Sequence, residues 1–485
     1  MTQSSTGAAS TAAQTDSTPA EPGQGAMWVV LTATFMAVLD FFIVNVAIPA
    51  IQFDLKSSVA TVQWIVAGYG LAYGSGMITG GRLGDTFGRR KVFTIGLVLF
   101  TLTSLLCGVA PNSAVLVVGR LAQGASAALC APQVLAIIRT LYTGKALVRA
   151  FTMYGFVMGV AAVFGQLIGG LLMRADVLGM GWRACFLINL PIGIVALLMI
   201  PKFVPESRSP VRAKLDPIGM VLITAALVAL LVPLIQGREQ GWPTWTWILL
   251  VGSVALFVGF LAFERRLIAD GGAPLINPAM FHDRAFTSGL LTQLVFWMGQ
   301  ASYFLILALF LQYGRQLDAL GAGVVFAALG GGYTLSSSLA GKVAARLGRQ
   351  VLALGGLLTT LGLALTGVAV VQNGVGGSAW WLVPGLAIDG IGMGLVVAPL
   401  ALTVLARVTP QYAASASGVL TTALQVGNSL GVAIIGLIFF DALGTGHGAS
   451  GYAHAYNLSL FYSAAVGVVV ALLVQLLPKN PGQAT

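Results

Sequence analysis

Charged residues inside apolar segments constrain the fold of this chain more than any other feature. Asp40, Arg120 and Asp389 each lie within an apolar stretch about as long as the roughly 20 residues that cross a bilayer as a helix. A charge near the bilayer centre costs about 2.5–3.5 kcal/mol on insertion scales, so such residues are usually retained for function. The sequence therefore indicates a membrane protein that keeps three buried charges for a functional reason.

The composition supports this interpretation. Of the 485 residues, 57% are hydrophobic and only 8% are charged, whereas a soluble domain carries about 25% charged residues. Apolar runs such as 92–106 and 466–477 do not show the alternating segments of about ten residues that build a membrane β-barrel. We therefore predict an all-α polytopic membrane protein.

The apolar runs divide the chain into fourteen predicted spans. Joints such as Pro111-Asn112 and Asn373-Gly374 support the divisions between them. The predicted spans are 27–51, 61–82, 91–110, 114–138, 150–173, 184–201, 216–236, 245–264, 287–312, 321–341, 350–371, 380–405, 414–440 and 456–478.

The distribution of basic residues predicts the orientation. The net charge is +10, but the basic residues cluster in short loops between apolar runs, which argues against a nucleic-acid partner. Nineteen of the 25 Lys and Arg residues fall on the side that holds the N-terminus, five fall on the other side, and Arg120 lies within a span. We therefore expect both termini to be cytoplasmic.

A weak internal repeat predicts the domain organisation. Residues 81–90 align with residues 341–350 at an offset of 260, and both follow the second helix of a six-helix half. Two related halves are typical of transporters that rock around a central path. We expect a disordered tail at 1–26, a six-helix half at 27–201, a linker with two additional helices at 202–270, a second six-helix half at 271–478, and a tail at 479–485.

Five motifs together resemble one protein family. The chain is similar to the fourteen-helix drug:proton antiporter branch of the major facilitator superfamily, more densely in its first half than in its second. The resemblance implies a bacterial cell-membrane protein that exports hydrophobic or cationic organic compounds in exchange for protons by alternating access. The motifs are LDFFIVNVAIP at 39–49, GRLGDTFGRR at 81–90, GRLAQG at 119–124, WRACFLINLPIG at 182–193, and ASGVLTTALQVGNSLG at 416–431.

Two buried charges are candidates for proton coupling. Carboxylates within membrane spans often act in proton relays, so Asp40 is the strongest candidate for the carrier. A buried guanidinium such as that of Arg120 requires hydrogen-bond acceptors or a carboxylate, and Gln123 lies one turn away on the same side. The resemblance ties this arginine to proton transfer, although a purely structural hydrogen-bonding role is the alternative.

The loop at 81–90 is a candidate conformational switch. Gly81, Asp85 and Gly88 fall on one helical face, where glycine would let a neighbouring helix approach closely. Asp85 would lie there beside Arg89 and Arg90, and the resemblance implies that this charge network holds one conformation shut. The alternative is an ordinary basic loop with a helix cap.

Residues of the second half are candidates for binding the substrate. Asp389 lies between Gly385 and Gly392, which we expect to open space around it. Its charge suits a cationic substrate or a second proton, and local pairing with Ser, Thr or backbone groups is the alternative. Mixed polar and aromatic stripes suit a pocket for amphipathic molecules, or else helix packing. The stripes consist of Gln293, Trp297, Gln300 and Phe304, and of Thr422, Gln425 and Ser429.

The fifth span departs from the family pattern. Drug antiporters usually carry Gly-Pro-x-x-Gly-Gly in this span, but this chain has Gln166 at the proline position. We expect the change to remove a determinant of helix kinking and to add a hydrogen-bonding group at the helix interface. The residues expected to pack along this helix are Gly155, Gly159, Gln166, Gly169 and Gly170.

The sequence leaves some alternatives to drug export open and argues against others. A dedicated exporter or an uptake carrier of one metabolite, lipid or antibiotic is the main alternative. An enzyme would need a catalytic motif that the sequence lacks, and a sensor would need a soluble signalling domain.

Cys107, Cys130 and Cys185 are far apart, which favours packing roles over a metal site or disulfide. We expect a monomer without a metal or other cofactor, whose partners are an organic substrate, protons and lipid.

Overall fold

A computed structural model describes residues 24–208, 216–272, 274–276, 278–405, 413–444 and 448–477. Regular secondary structure in these ranges is entirely helical. The first helix begins at Gln24, so the last three residues of the predicted N-terminal tail are helical. The rest of that tail and the predicted tail at 479–485 lie outside the described residues.

The described part of the chain contains fourteen helices of 15 residues or more. The short helix Ala184–Leu187 leads into the sixth, and one π-helical turn, Phe310–Gly314, extends the ninth. The fourteen are α1 (Gln24–Asp54), α2 (Val59–Phe87), α3 (Arg89–Gly108), α4 (Ser113–Leu141), α5 (Gly144–Ala175), α6 (Asn189–Phe203), α7 (Pro217–Gln236), α8 (Thr244–Ala269), α9 (Arg284–Leu309), α10 (Ala319–Leu347), α11 (Gln350–Asn373), α12 (Val383–Leu405), α13 (Ala413–Leu443) and α14 (Ala449–Val474).

Most of these helices could cross a membrane. Twelve spans are long and apolar enough, one of them formed by α6 together with the short helices that precede it from Gly181, and α5 gives the thirteenth when its two bent parts are counted as one span. The fourteenth, α2, carries glycine and polar residues along its length, which lowers its hydropathy. The predicted all-helical polytopic fold is confirmed.

Several helices extend beyond their predicted bounds. Helix α1 gains three residues at each end, α5 begins six residues early at Gly144, and α14 begins seven residues early at Ala449. Hydropathy marks only the apolar part of a helix, whereas backbone hydrogen bonding continues into the interfacial region. His454 lies within this early part of α14.

Two matching helix junctions support the internal repeat. Helix α2 ends at Gly88 with φ of 111°, and α10 ends at Gly348 with φ of 55°. Each glycine donates its backbone N–H to the carbonyl four residues earlier, and the next helix follows within two residues. Both backbone conformations favour glycine. Helices α1–α6 and α9–α14 form the two halves of the fold, and α7 and α8 are the inserted pair.

The two halves meet through two helix pairs, α2 with α13 and α5 with α10. A methyl group at Gly170 would overlap the carbonyl of Ala319, so these backbones are in close contact near the α1–α2 loop. At the same end, Gln312 donates to the carbonyl of Val46 at 3.0 Å. Farther along the same face of α5, no neighbouring atom of the described residues lies within 4 Å of the place a methyl group on Gly155 would take. The halves therefore touch near the α1–α2 loop, and α5 makes no such contact at Gly155.

Candidate functional site

Asp40 and Arg120 form an ion pair in the interior of the first half. Both side chains are fully buried, and the Arg120 Nη1 donates to Asp40 Oδ2. The Arg120 Nε donates to the carbonyl of Ile65 on α2 at 2.9 Å, and the guanidinium lies 4.3 Å from the centre of the Tyr69 ring. The pair compensates both charges within the helix bundle, where an isolated ion would be strongly disfavoured.

Three neutral side chains complete this cluster, which we call the Asp40 network: Asp40, Ser104, Arg120, Gln123 and Asn189. Gln123 Oε1 accepts from Arg120 at 2.8 Å, and its Nε2 donates to Asp40 Oδ1 at 2.9 Å. Asn189 Nδ2 donates to the same carboxylate oxygen at 2.7 Å. Ser104 Oγ accepts from Gln123 at 2.6 Å and from Asn189 at 2.9 Å. The network thus joins α1, α3, α4 and α6.

The Asp40 network can exist in two protonation states with different bonding. In the observed arrangement both oxygens of Asp40 accept hydrogen bonds from donors. A proton on the carboxylate would remove its charge and weaken the ion pair with Arg120. Arg120 Nη2 has no hydrogen-bond partner among the described residues, so the guanidinium already has a free donor for another acceptor. Proton binding here would therefore change how four helices are held together.

The sequence identified only part of this network. Asp40 and Arg120 stand out because they are charged residues within apolar runs, and Gln123 was expected beside Arg120. Ser104 was missed, and Asn189 was noted only as part of a motif. Both are fully buried. A polar residue within an apolar run is the one signal that could have found them, and it is weak because serine is common in membrane helices.

The predicted switch loop contains a charge network, as expected, with an additional member. Arg89 pairs with Asp85 at 2.9 Å and donates to Thr140 Oγ1 on α4 at 2.6 Å. The carboxylate of Glu206, which follows α6, accepts from the backbone N–H groups of Arg90 at 3.0 Å and of Lys91 at 3.2 Å. Glu206 therefore caps the start of α3 and links it to the end of α6.

The closest helix contact in this region is offset from the predicted face. A methyl group at Gly81 would lie 3.5 Å from Pro132 Cβ, which is an ordinary contact. At Gly80 it would overlap the carbonyl of Ala128, so this glycine lets α2 and α4 approach closely. Gly84 also approaches α4 closely, next to the Gln133 side chain.

Gly88 has a different role from the one expected. Its φ of 111° is a conformation that side chains disfavour, so glycine is needed for the sharp junction between α2 and α3. It does not pack on a neighbouring helix. A methyl group at Gly88 would lie 2.8 Å from a carboxylate oxygen of Glu206, so it would also disturb the cap of α3.

Asp389 does not lie in an open pocket, so that prediction is wrong. A methyl group at Gly385 would lie 2.7 Å from the carbonyl of Gly362, and one at Gly392 would lie 2.5 Å from the backbone nitrogen of Thr359. The glycines beside Asp389 therefore bring α12 into contact with α11. The Asp389 side chain is fully buried within the second half.

The other predicted substrate residues face different neighbours. Gln300 lines a small cavity within the second half, together with Thr359 and Ser463. The Phe304 ring lies 5.2 Å from the ring of Phe42 on α1, at the boundary between the halves. These side chains do not converge on one pocket.

Gln425 lies at the crossing of α2 and α13. A methyl group at Gly74 would lie 3.0 Å from its Cβ, and its side-chain oxygen accepts from Asn428 at 3.1 Å. Gln293 Oε1 and Trp297 Nε1 are buried on α9 and have no hydrogen-bond partner among the described residues. Their unused polar atoms keep them as candidates for contact with a bound molecule.

The glycines of α5 pack against two different helices. Gly159 faces the Tyr333 ring and Gly170 faces Ala319, both on α10. A methyl group at Gly169 would lie 2.6 Å from Val46 on α1. Gly155 does not pack as predicted, because nothing described lies close to it.

Gln166 differs from its predicted role in two respects. Its side chain is fully buried, yet neither amide atom has a hydrogen-bond partner in the described part of the chain, so the expected interhelical hydrogen bond is wrong. Helix α5 also bends by 46° between Ala162 and Phe164 without a proline at position 166. The bend in this helix therefore does not depend on the family's proline.

A buried acidic residue of the inserted pair escaped the sequence analysis. Glu264 on α8 is fully buried, and both of its carboxylate oxygens have no hydrogen-bond partner among the described residues. A methyl group at Gly219 would lie 2.6 Å from Glu264 Oε1 and would overlap Asp216 Oδ2. The two carboxyl groups thus face the same glycine. The predicted span ends at residue 264, so the sequence places Glu264 at a polar helix end and gives no sign of its burial.

Comparison with known proteins identifies the family. The model of the Major Facilitator Superfamily matches residues 30–432 and 289–484. The chain therefore belongs to the Major Facilitator Superfamily, as the motifs predicted. It is a membrane transporter and not an enzyme.

Several relatives export or confer resistance to antibiotics, by their names. The probable actinorhodin transporter of Streptomyces coelicolor is 39% identical over 87% of this chain and 73% of its own length. The tetracenomycin C resistance and export protein of Streptomyces glaucescens is 31% identical over 88% of this chain and 78% of its own. The multidrug resistance protein Stp of Mycobacterium tuberculosis is 30% identical over 83% and 73%, respectively.

Solved structures support the fold. A POT family transporter in complex with 5-aminolevulinic acid superposes with a TM-score of 0.68 at 15% identity, over 93% of this chain and 95% of that one. At this identity the similarity shows that the two chains share a fold and nothing about their substrates.

Proposed function

We propose that this protein exports an antibiotic-like organic compound across the cell membrane in exchange for protons. Family membership and the names of the relatives support export of such a compound. The observation that carries the proposed proton coupling is the Asp40 network, in which a buried carboxylate is paired with Arg120 and bonded to neutral donors on two other helices. Ionisable residues inside a membrane protein commonly mark proton paths.

Proton binding to Asp40 is the proposed coupling step. The neutral carboxyl group would no longer hold the Arg120 guanidinium by charge, and Arg120 already has an unused donor, Nη2. Because the network joins four helices of the first half, breaking its ion pair would shift the balance between two packing arrangements. A ligand shifts such a balance only by its difference in affinity for the two states.

The contacts between the halves support alternating access. The halves meet near the α1–α2 loop, through Gly170 and Ala319 and through Gln312 and Val46, and no described neighbour packs against Gly155. With both termini in the cytoplasm, as the basic loops favour, we infer that this arrangement is closed to the outside and open towards the cytoplasm. The salt bridge of Asp85 with Arg89 and the Glu206 cap would then stabilise the loop at the cytoplasmic end of α2.

A dedicated exporter of one antibiotic or a few related ones is favoured over a broad exporter of cations. Four of the relatives each carry the name of a single antibiotic: actinorhodin, puromycin, tetracenomycin C or cephamycin. The acidic residue expected to attract cations, Asp389, is buried within the second half. The side chains that we propose to contact the substrate are Gln293, Trp297, Phe304 and Gln425, on α9 and α13.

Transport into everted membrane vesicles tests this function. Vesicles with and without the protein are given actinorhodin, tetracenomycin C, puromycin, a cephamycin or a dicationic dye, under an imposed pH gradient with and without sodium. We expect accumulation of one or two of the antibiotics that requires the pH gradient, is independent of sodium and is abolished by a protonophore. Accumulation driven by sodium, or by no gradient at all, would contradict proton-coupled export.

A further inference from the structure

Asp389 stands out as an acidic residue without a charged partner. It lies in the middle of α12, is fully buried, and neither of its carboxylate oxygens has a hydrogen-bond partner among the described residues. Gln300 on α9 and Thr359 on α11 are the polar side chains that face it most closely. The proposed export mechanism does not use this group.

The position of Asp389 corresponds to that of Arg120 in the other half. Arg120 lies on α4, the fourth helix of its half, and its network takes partners from the first, third and sixth helices. Asp389 lies on α12, the fourth helix of the second half. Its neighbours Gln300, Thr359 and Tyr456 likewise come from the first, third and sixth helices of that half. The two halves therefore each place an ionisable residue at the same point of the fold.

The surroundings of Asp389 contain further oxygens without partners. A cavity of about 10 Å³ lies between α9, α11 and α14, and two of the residues that line it, Gln300 and Thr359, face Asp389. Gln300 Oε1, Thr359 Oγ1 and Ser463 Oγ belong to residues that line it, and none of these atoms has a hydrogen-bond partner in the described residues. All three residues are more than nine-tenths buried. The cavity has room for about one water molecule, which could bridge them.

The charges of the groups around Asp389 differ from those in the Asp40 network. Asp40 has Arg120 as its counter-ion, whereas the groups that face Asp389 are all neutral: Gln300 and Tyr303 on α9, Thr359 on α11, and Tyr456 on α14. The closest contacts from α10 are the backbone of Leu329 and Tyr333 against Gly390. An unpaired carboxylate in such surroundings is strongly disfavoured, and a bound proton removes its charge.

We propose that Asp389, together with Gln300 and Thr359, forms a second proton-binding site, located in the second half and separate from the Asp40 network. In the observed conformation Asp389 is a neutral carboxylic acid that can donate a hydrogen bond to Gln300 Oε1 or Thr359 Oγ1. Its part in transport rests on the proposed proton exchange, in which two such sites would allow two protons per cycle. Its occupancy does not depend on transport.

Infrared spectroscopy of the purified protein in lipid tests the proposal without substrate or gradient. A protonated carboxyl group has a carbonyl stretching band that a carboxylate lacks. We expect the spectrum of the wild type minus that of Asp389→Asn to show this band at neutral pH, equally in sodium and in choline buffer. Asp441→Asn is the matched control, because it removes a carboxyl group that is exposed at the end of α13, and it should leave the band unchanged.

A second variant keeps the test valid if Asp389→Asn does not fold. Thr359→Val retains the carboxyl group and removes one hydrogen-bonding neighbour, so it should shift the frequency of the band without abolishing it. Loss of the band on adding sodium would show that a metal cation occupies the site and would overturn the proposal. A wild-type spectrum without the band would overturn it as well. Neither result depends on the export assay, so failure of one proposal is distinguishable from failure of the other.

Discussion

At the scale of one side chain, the guanidinium of Arg120 contacts four other residues. Its Nε donates to Ile65, its Nη1 donates to both Asp40 and Gln123, and its plane lies over Tyr69. A planar group with donors at fixed angles can make these contacts together, whereas the single ammonium group of lysine cannot. This geometry explains why arginine occupies the position.

Two replacements of Arg120 should distinguish the effect of its charge from the effect of its planar shape. Arg120→Ala leaves the buried carboxylate of Asp40 without a counter-ion, and we expect it to destabilise the protein by about 3–5 kcal/mol and to abolish transport. Arg120→Lys keeps the charge and should restore stability more than transport. Thermal melting in detergent and uptake into everted vesicles measure the two effects. Normal transport by the alanine variant would remove Arg120 from the coupling site.

Two buried glutamines provide a matched test of hydrogen bonding. Gln166 has no hydrogen-bond partner among the described residues, whereas Gln133 Nε2 donates to the carbonyl of Gly80 at 2.6 Å. Gln166→Leu removes a buried unpaired amide, and we expect it to stabilise the protein by up to about 1–3 kcal/mol. Gln133→Leu should destabilise it instead. The melting temperatures of the two variants test this expectation. Equal losses of stability in both variants would mean that Gln166 has a hydrogen-bond partner in the folded protein.

At the scale of helices, the contact between α2 and α4 is close at particular glycines, among them Gly80. Gly80 faces the carbonyl of Ala128 directly, whereas the neighbouring Gly81 faces the side chain of Pro132 at an ordinary distance. The two glycines are adjacent in the sequence and chemically identical. Only their direction relative to α4 differs.

The pair therefore tests the packing with minimal change. Gly80→Ala should force α2 away from α4 and lower the melting temperature, with a loss of about 1–3 kcal/mol as is typical of overpacking. Gly81→Ala should be tolerated within about 0.5 kcal/mol. Differential scanning fluorimetry of both variants measures the difference. A larger loss for Gly81→Ala would place the close contact on the face that the sequence predicted.

Glu206 is predicted to hold the start of α3. Glu206→Ala frees the backbone amides of Arg90 and Lys91, and loss of such a cap typically costs about 0.5–2 kcal/mol. Hydrogen exchange at these two amides should therefore quicken, and Glu206→Gln, which retains one acceptor oxygen, should have a smaller effect. Unchanged exchange in Glu206→Ala would show that other groups protect this helix end.

The sequence predicted the helices well because membrane spans are encoded by composition over about 20 residues. It also identified Asp40 and Arg120 as charged residues buried within spans, since a charge within an apolar run is conspicuous. It could not predict the surroundings of Asp389, because a glycine beside a buried residue can open space or admit another helix. Gly385 does the latter, and only the position of Gly362 on another helix reveals it. Ser104 was missed for a related reason, since its importance depends entirely on its partners.

At the scale of the whole molecule, the two halves share a framework but differ in charge. The first half contains an acidic residue and a basic residue that neutralise each other, Asp40 and Arg120. The second half has an acidic residue, Asp389, where the first half has the basic one. The halves meet near the α1–α2 loop, whereas no described neighbour packs against Gly155. A transporter that alternates between two such arrangements would expose each site to one side of the membrane at a time.

Proton flux and substrate flux measured together in proteoliposomes test the central claim most directly. We compare the wild type with Asp40→Asn and with Asp54→Asn, a control on the same helix whose carboxylate pairs with Arg183 at 2.7 Å at the exposed end. Asp40→Asn should lose substrate transport driven by the pH gradient and the accompanying proton flux, but it should still exchange substrate across the membrane without a gradient. Asp54→Asn should resemble the wild type. Gradient-driven transport by Asp40→Asn at the wild-type rate would contradict the proposal that Asp40 couples protons to export.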